Sequence, residues 1–145
     1  MDPIERILGL DIGTKRIGVA LSDAMGWSGL PLETVQVHRD GRHIRRIAEL
    51  CKAHEVVELV AGLPLNMDGT EGRAARKVRV VLTAVAAATG LTVHEWDERL
   101  TTVAAERVLH QAGMRHQRRK QVVDQLSASL ILQSYLGARA RTTTP

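Results

Sequence analysis

The sequence predicts an α/β protein: a mixed five-stranded sheet, three antiparallel strands followed by parallel crossovers, with helices on both faces. Three observations predict it. Two apolar, β-prone runs flank Gly13-Thr14-Lys15-Arg16, the pattern of a tight hairpin, and Leu32–Val37 alternates apolar and polar as a third strand. From Arg42 onward helical and strand patterns alternate, which suggests parallel crossovers. The 145 residues, 44% of them hydrophobic, suffice for one core.

Taken in order, the hairpin strands lie within Ile7–Asp23, and Met25–Pro31 reads as a loop rich in Gly and Pro. A helix is expected from about Arg42 to His54, with Ile44, Ile47, Ala48 and Cys51 on one face. Glu55–Ala61 is a buried-type strand parallel to the first. Gly62–Thr70 is a loop, with Thr70 as the expected cap of a helix that runs to Thr89 and stops at Gly90. Arg73, Arg76 and Lys77 share one face of that helix. Leu91–Trp96 is the fifth strand. Thr101 or Thr102 would cap a helix through about Gln111, and Gly113 would break it. Arg115–Lys120 reads as a basic linker, and the last helix as Lys120–Leu136. The organisation is one domain over residues 1–138 and a disordered tail over 139–145.

Composition narrows the function classes. Phe is absent, and the aromatics are only Trp27, Trp96 and Tyr135, so platforms of stacked aromatics for bases are not expected. The net charge of +4 permits a polyanionic partner. A single cysteine, Cys51, excludes an intrachain disulfide framework and a cysteine-rich zinc site. The six histidines show no ligand spacing. With no apolar run of membrane-spanning length and no leader pattern, the expected compartment is the cytoplasm.

The chemistry lies in the carboxylates. Asp11 interrupts an apolar strand and shares a face with Ile7 and Gly9. A charge there must be paired, bind a cation, or accept bonds from the turn amides. In open α/β sheets ligands collect at the carboxyl ends of the parallel strands. Asp11, the Asn66–Asp68 loop and Asp97-Glu98 all fall at such ends. In the last helix Asp124 lies on a stripe with Ser127, Ala128, Ile131 and Tyr135, whose small members would let it approach the sheet. Crowded carboxylates suit Mg²⁺ or Mn²⁺, which in pairs serve phosphodiester cleavage. Taken singly, Asp97-Glu98-Arg99 also reads as a surface turn, Asp68-Gly69 as a plain turn, and Asp124 as a helical acid paired with Lys120.

Four segments, Leu10–Ala20, Gly62–Thr70, Asp97–Thr102 and Val123–Ala128, closely resemble the YqgF (RuvX) family, described as pre-16S rRNA nucleases or Holliday-junction-resolvase-like proteins. The resemblance spans about Ile7 to Leu136. It implies a ribonuclease H-like fold and a divalent-metal-dependent nuclease that matures the 5′ end of small-subunit ribosomal RNA. Carried over by motif, Asp11, Glu98 and Asp124 are the implied catalytic carboxylates and metal ligands. Asn66, Asp68, Thr70 and Arg99 would face the same cleft, and Lys15, Arg73 and Lys120 join them as candidate substrate contacts. The related RuvC-type resolvases place a glutamate at the end of the fourth strand. Here that strand ends in Gly62-Leu-Pro-Leu, so Glu98 from the fifth would have to substitute.

Three other functions remain open on sequence. A branched-DNA resolvase keeps the chemistry and would favour a homodimer with two active sites. A non-catalytic RNA-binding assembly factor needs only the basic charge. A phosphate-binding hairpin of the sugar-kinase and actin type needs two such domains, and 145 residues supply one.

Overall fold

The computed structural model describes residues 5–100 and 116–143. The expected helix capped by Thr101 or Thr102, together with Gly113 and Arg115, lies outside the described residues. Strands β1 (Arg6–Ile12), β2 (Arg16–Ser22) and β3 (Gly29–Gln36) precede helix α1 (Arg42–Ala53), strand β4 (Val56–Leu63), helix α2 (Arg73–Thr89) and strand β5 (Val93–Asp97). A 3-10 turn, Glu98–Leu100, follows β5, and helix α3 (His116–Thr143) is the last element.

The five strands form one sheet in the order β3-β2-β1-β4-β5. The first three pair antiparallel, while β1 with β4 and β4 with β5 pair parallel. Alternation along each strand divides its side chains between two layers. Leu8, Leu10, Ile17, Val19, Leu59 and Ala61 face one way, against Ile47 of α1 and Val78 and Leu82 of α2. Ile7, Ala20 and Val60 face the other, against Ala128, Ile131, Leu132 and Leu136 of α3. Asp11 belongs by alternation to the α3 face.

Several expected boundaries shift for physical reasons. β3 begins at Gly29, inside the expected loop, because it is an edge strand: Pro31 lacks an amide hydrogen and is tolerated there beside a register shift at Val19/Ala20. Thr70 does not cap α2. Its hydroxyl donates to Asp68 (2.6 Å) and accepts from Asn66 (3.0 Å), and the cap falls to Gly72 without a side-chain bond. The expected linker residues His116–Lys120 are helical, since Gln, Arg and Lys favour helix and neither Gly nor Pro interrupts them. α3 also continues past Leu136 to Thr143, with Arg139 bonded to Glu58 of β4. Among the described residues no helix is long and apolar enough to cross a membrane.

α3 lies unusually close to the sheet because its floor is glycine. A methyl group on Gly18 would overlap the Asp124 carbonyl oxygen. One on Gly9 would stand 2.8 Å from Leu132 Cβ, and one on Gly62 2.7 Å from Ile131 Cδ1. Ser129 Oγ donates to the Gly29 carbonyl and pins the helix to the edge strand. Gly18→Ala should therefore lower stability by about 3 kcal/mol, the upper range for overpacking. Gly90→Ala, at φ +70° but in open space, should lose about 1–2 kcal/mol for its left-handed backbone alone. Urea unfolding of both variants checks this ordering; equal losses would contradict direct packing of α3 on β2.

Candidate active site

β1 and β5 end at the same edge of the sheet, and α3 passes over that edge. This brings Asp11, Glu98 and Asp124 together from three separate elements. Asp11 follows the last residue of β1 that pairs with β4, and pairs with Gly18 across the hairpin. The absent side chain at Gly18 is what admits the α3 backbone at Asp124. Glu98 opens the 3-10 turn after β5. Its Oε2 lies over Gly62, where a β4 side chain would otherwise stand: an added Cβ would be 3.2 Å away. The fourth strand thus contributes space, and the fifth contributes the carboxylate that occupies it.

Electrostatics record the crowding. The Asp11 carboxyl is pushed from its ordinary 3.8 up to about 8, first by burial, then by the charges of Glu98 and Asp124 and a hydrogen bond with Glu98. Asp124 is held by Arg16, whose Nε donates to its Oδ2 at 2.7 Å across 108 positions of sequence. Sequence reasoning offered Lys120 as its partner and missed Arg16. The signal was present: two residues before Gly18, Arg16 shares its strand face.

The other candidates sit elsewhere. Asp68 accepts from the Thr70 amide (3.0 Å) and hydroxyl, bonds that draw its carboxyl below the usual range. Asp97 is gripped by Arg99, with Nη2 donating at 2.6 Å, and is likewise lowered. Arg99 also donates to the Met67 carbonyl (3.1 Å), tying the β5 end to the Asn66–Thr70 loop. Asn66, Asp68, Thr70 and Arg99 therefore form an exposed, self-bonded rim, and neither Asp68 nor Asp97 acts on Asp11. Lys15 is exposed at the hairpin tip. Lys120 lies in the first turns of α3.

The donor set suits a hard divalent cation, since it consists of carboxyl oxygens alone. Among the described residues no three His, Cys, Asp or Glu side chains gather closely enough to hold an ion as they stand. Asp11 and Glu98 form the close pair, and Asp124 is turned to Arg16. One helical turn on from Asp124, the buried Ser127 Oγ has no hydrogen-bond partner among the described residues.

Sequence reasoning also missed a cavity of about 630 Å³ on the α2 side of the strand ends. It lies between the hairpin turn and the first turns of α2, with Glu98 at its edge and Arg73 and Lys77 in its lining.

The raised Asp11 carboxyl carries a stability consequence with a defined sign. A carboxyl that holds its proton to about pH 8 when folded, but only to 3.8 when unfolded, stabilises at low pH. That contribution fades as pH rises through the interval and is gone above about 8. In chelator, Asp11→Asn should flatten the decline between pH 5 and 8 and melt no lower than the parent at pH 8. A variant that melts well below the parent at pH 8 would mark Asp11 as a turn-stabilising acceptor instead.

Comparisons with known proteins bear on the family and the fold. Residues 5–138 match the RuvX family, described as Holliday junction resolvase. A protein named "Putative pre-16S rRNA nuclease" from Moorella thermoacetica is 50% identical over 131 residues, covering 90% of this chain and 94% of that one. One of the same name from Heliobacterium modesticaldum is 46% identical, covering 93% and 91%. Among solved structures, T. thermophilus RuvC in complex with a Holliday junction substrate superposes with a TM-score of 0.63 at 18% identity, covering 98% of this chain and 99% of that one. That likeness is one of fold, the ribonuclease H-like arrangement expected from sequence. With a family match over nearly its whole length and relatives near half identity, the chain belongs to the RuvX family.

Proposed function

We propose that this protein is a divalent-metal-dependent nuclease that hydrolyses phosphodiester bonds in pre-16S rRNA during 5′-end processing. The observation that carries this reading is the meeting of Asp11, Glu98 and Asp124 at one edge of the sheet. The names of the relatives from Moorella and Heliobacterium favour the RNA substrate. Asp11 and Glu98 would hold the ion, Mg²⁺ or Mn²⁺, in place of the proton they share, with Asp124 supplying further negative charge. When bound, the ion activates water and stabilises the leaving oxygen. The chain's own contribution is placement. The glycine floor fixes Asp124 over β2, and the room at Gly62 fixes Glu98 beside Asp11. Arg16 orients the Asp124 carboxylate. Exposed Lys15, Arg73 and Lys77 stand where a phosphodiester backbone would enter.

Asp11→Asn, Glu98→Gln and Asp124→Asn should each lower turnover by about a hundredfold or more while leaving the protein folded. Removing two of the three together should do little further harm, because they act as a unit. The test offers a precursor 16S fragment, unrelated single-stranded RNA and a four-way DNA junction, each with Mg²⁺, Mn²⁺ or chelator. Metal-dependent cleavage of the precursor is expected. Cleavage confined to the junction would shift the substrate to branched DNA, and cleavage of none would leave a binding factor. A second expectation concerns affinity. Log Kd against log salt should steepen by roughly 0.7 for each single-strand phosphate contact, and Arg73→Ala with Lys77→Ala should flatten that slope. An affinity indifferent to salt would remove both residues from the interface.

A further inference from the structure

We propose that the cavity between the hairpin turn and α2, bordered by Glu98, receives an unpaired nucleotide of the substrate strand, its base against the apolar wall and its phosphate between Arg73 and Lys77. The assignment rests on the nuclease reading and deepens it, by naming the form of nucleic acid that the site accepts.

Three observations carry it. The first is size and lining. At about 630 Å³ the space is within the range that encloses a small organic ligand. Its wall is aliphatic, formed by Ile12 from β1, Val37 beyond β3, and Val78 and Val81 from α2. Such a wall matches the flat, weakly hydrated face of a base and offers nothing to a phosphodiester.

The second is charge. Arg73 and Lys77 lie four positions apart on α2, both exposed and both lining the cavity. Among the described residues neither enters an ion pair. Other exposed arginines are engaged by carboxylates: Arg42 with Asp40, Arg46 with Glu33 and Glu49, and, on α2 itself, Arg79 with Glu71 and Glu95. The first turn of α2 also carries no acidic residue. The cations at the cavity are thus left for an outside anion.

The third is continuity. Glu98, at the strand ends, borders both the cavity on the α2 side of the sheet and Asp11 on the α3 side, so a strand seated in the cavity has only to round the strand ends to reach the carboxylates. A base stacked and paired within a duplex cannot turn its face to this wall without leaving the helix. The site therefore favours RNA with an unpaired residue beside the cleaved bond over a continuous duplex or a fully paired junction arm.

Binding in chelator tests this without cleavage. The probes are one fluorescent single-stranded RNA, the same sequence as a blunt duplex, and a four-way DNA junction. The parent should bind the single strand about tenfold more tightly than the duplex. Ala74 is exposed and lines the cavity, so Ala74→Phe fills it from α2 with little strain on the core. It should weaken single-strand binding about tenfold and leave duplex binding within about twofold. Thr14→Phe, which fills from the hairpin side, should do the same and serves if the first variant melts early. If both folded variants bind single strands as the parent does, or lose both forms equally, the cavity is not a nucleotide site. A parent that prefers the duplex or the junction overturns it too. A parent that binds none of the probes overturns the nuclease reading itself.

Discussion

Backbone contact between α3 and the sheet is the constraint on which the molecule depends. At Gly9, Gly18, Gly29 and Gly62 the sheet lacks the side chains that would hold a helix at ordinary distance. α3 settles into that trough with Ala128 and Ser127 against the floor and Ile131 and Leu132 filling its sides. The hydrophobic gain from Ile7, Val60, Ile131 and Leu132 holds the helix down. The same descent carries Asp124 to the level of Asp11. Packing and site geometry are thus one feature: whatever lifts the helix also separates the carboxylates.

Much of this was legible in the sequence. Period-two alternation placed Asp11 with Ile7 and Gly9 on one face, and the structure divides the strand in that way. The stripe through Asp124, Ala128 and Ile131 identified the face of α3 that packs. What escaped needed three-dimensional partners. Arg16 and Asp124 are 108 positions apart: alternation gives the strand face of Arg16, but not which helix residue meets it there. Thr70 looked like a helix cap because spacing alone cannot show that Asp68 has already taken its hydroxyl. Pro31 argued for a loop because proline is excluded from central strands, and edge position is a property of the whole sheet. The cavity was hidden for the same reason, since Ile12, Val37, and Val78 with Val81 come from three separate segments and each reads alone as ordinary core.

Charge is distributed with a division of labour. On the outer surfaces, acidic and basic side chains neutralise one another in exposed pairs that contribute little stability, on the order of 0–1 kcal/mol each. Near the strand ends the balance is broken on both sides. Asp11 is crowded by Glu98 and Asp124 enough to hold its proton, and close by Arg73 and Lys77 face solvent. Such uncompensated charge is held in place by the rigid elements that carry it. It represents folding energy forgone for the sake of a site, and a polyanion bound together with cations relieves both halves at once.

The reach of α3 across the sheet also bears on when the three carboxylates come together during synthesis of the chain. β1 through β5 pair among themselves and are all made before α3. A growing chain that has emerged only as far as β5 holds Asp11 and Glu98, yet it lacks Asp124 and the entire layer covering Ile7, Ala20 and Val60. Contacts spanning about a hundred residues form late, because closing so long a loop is entropically expensive. The layer over Ile7, Ala20 and Val60, and the meeting of Asp124 with Asp11, therefore form only when the final helix docks.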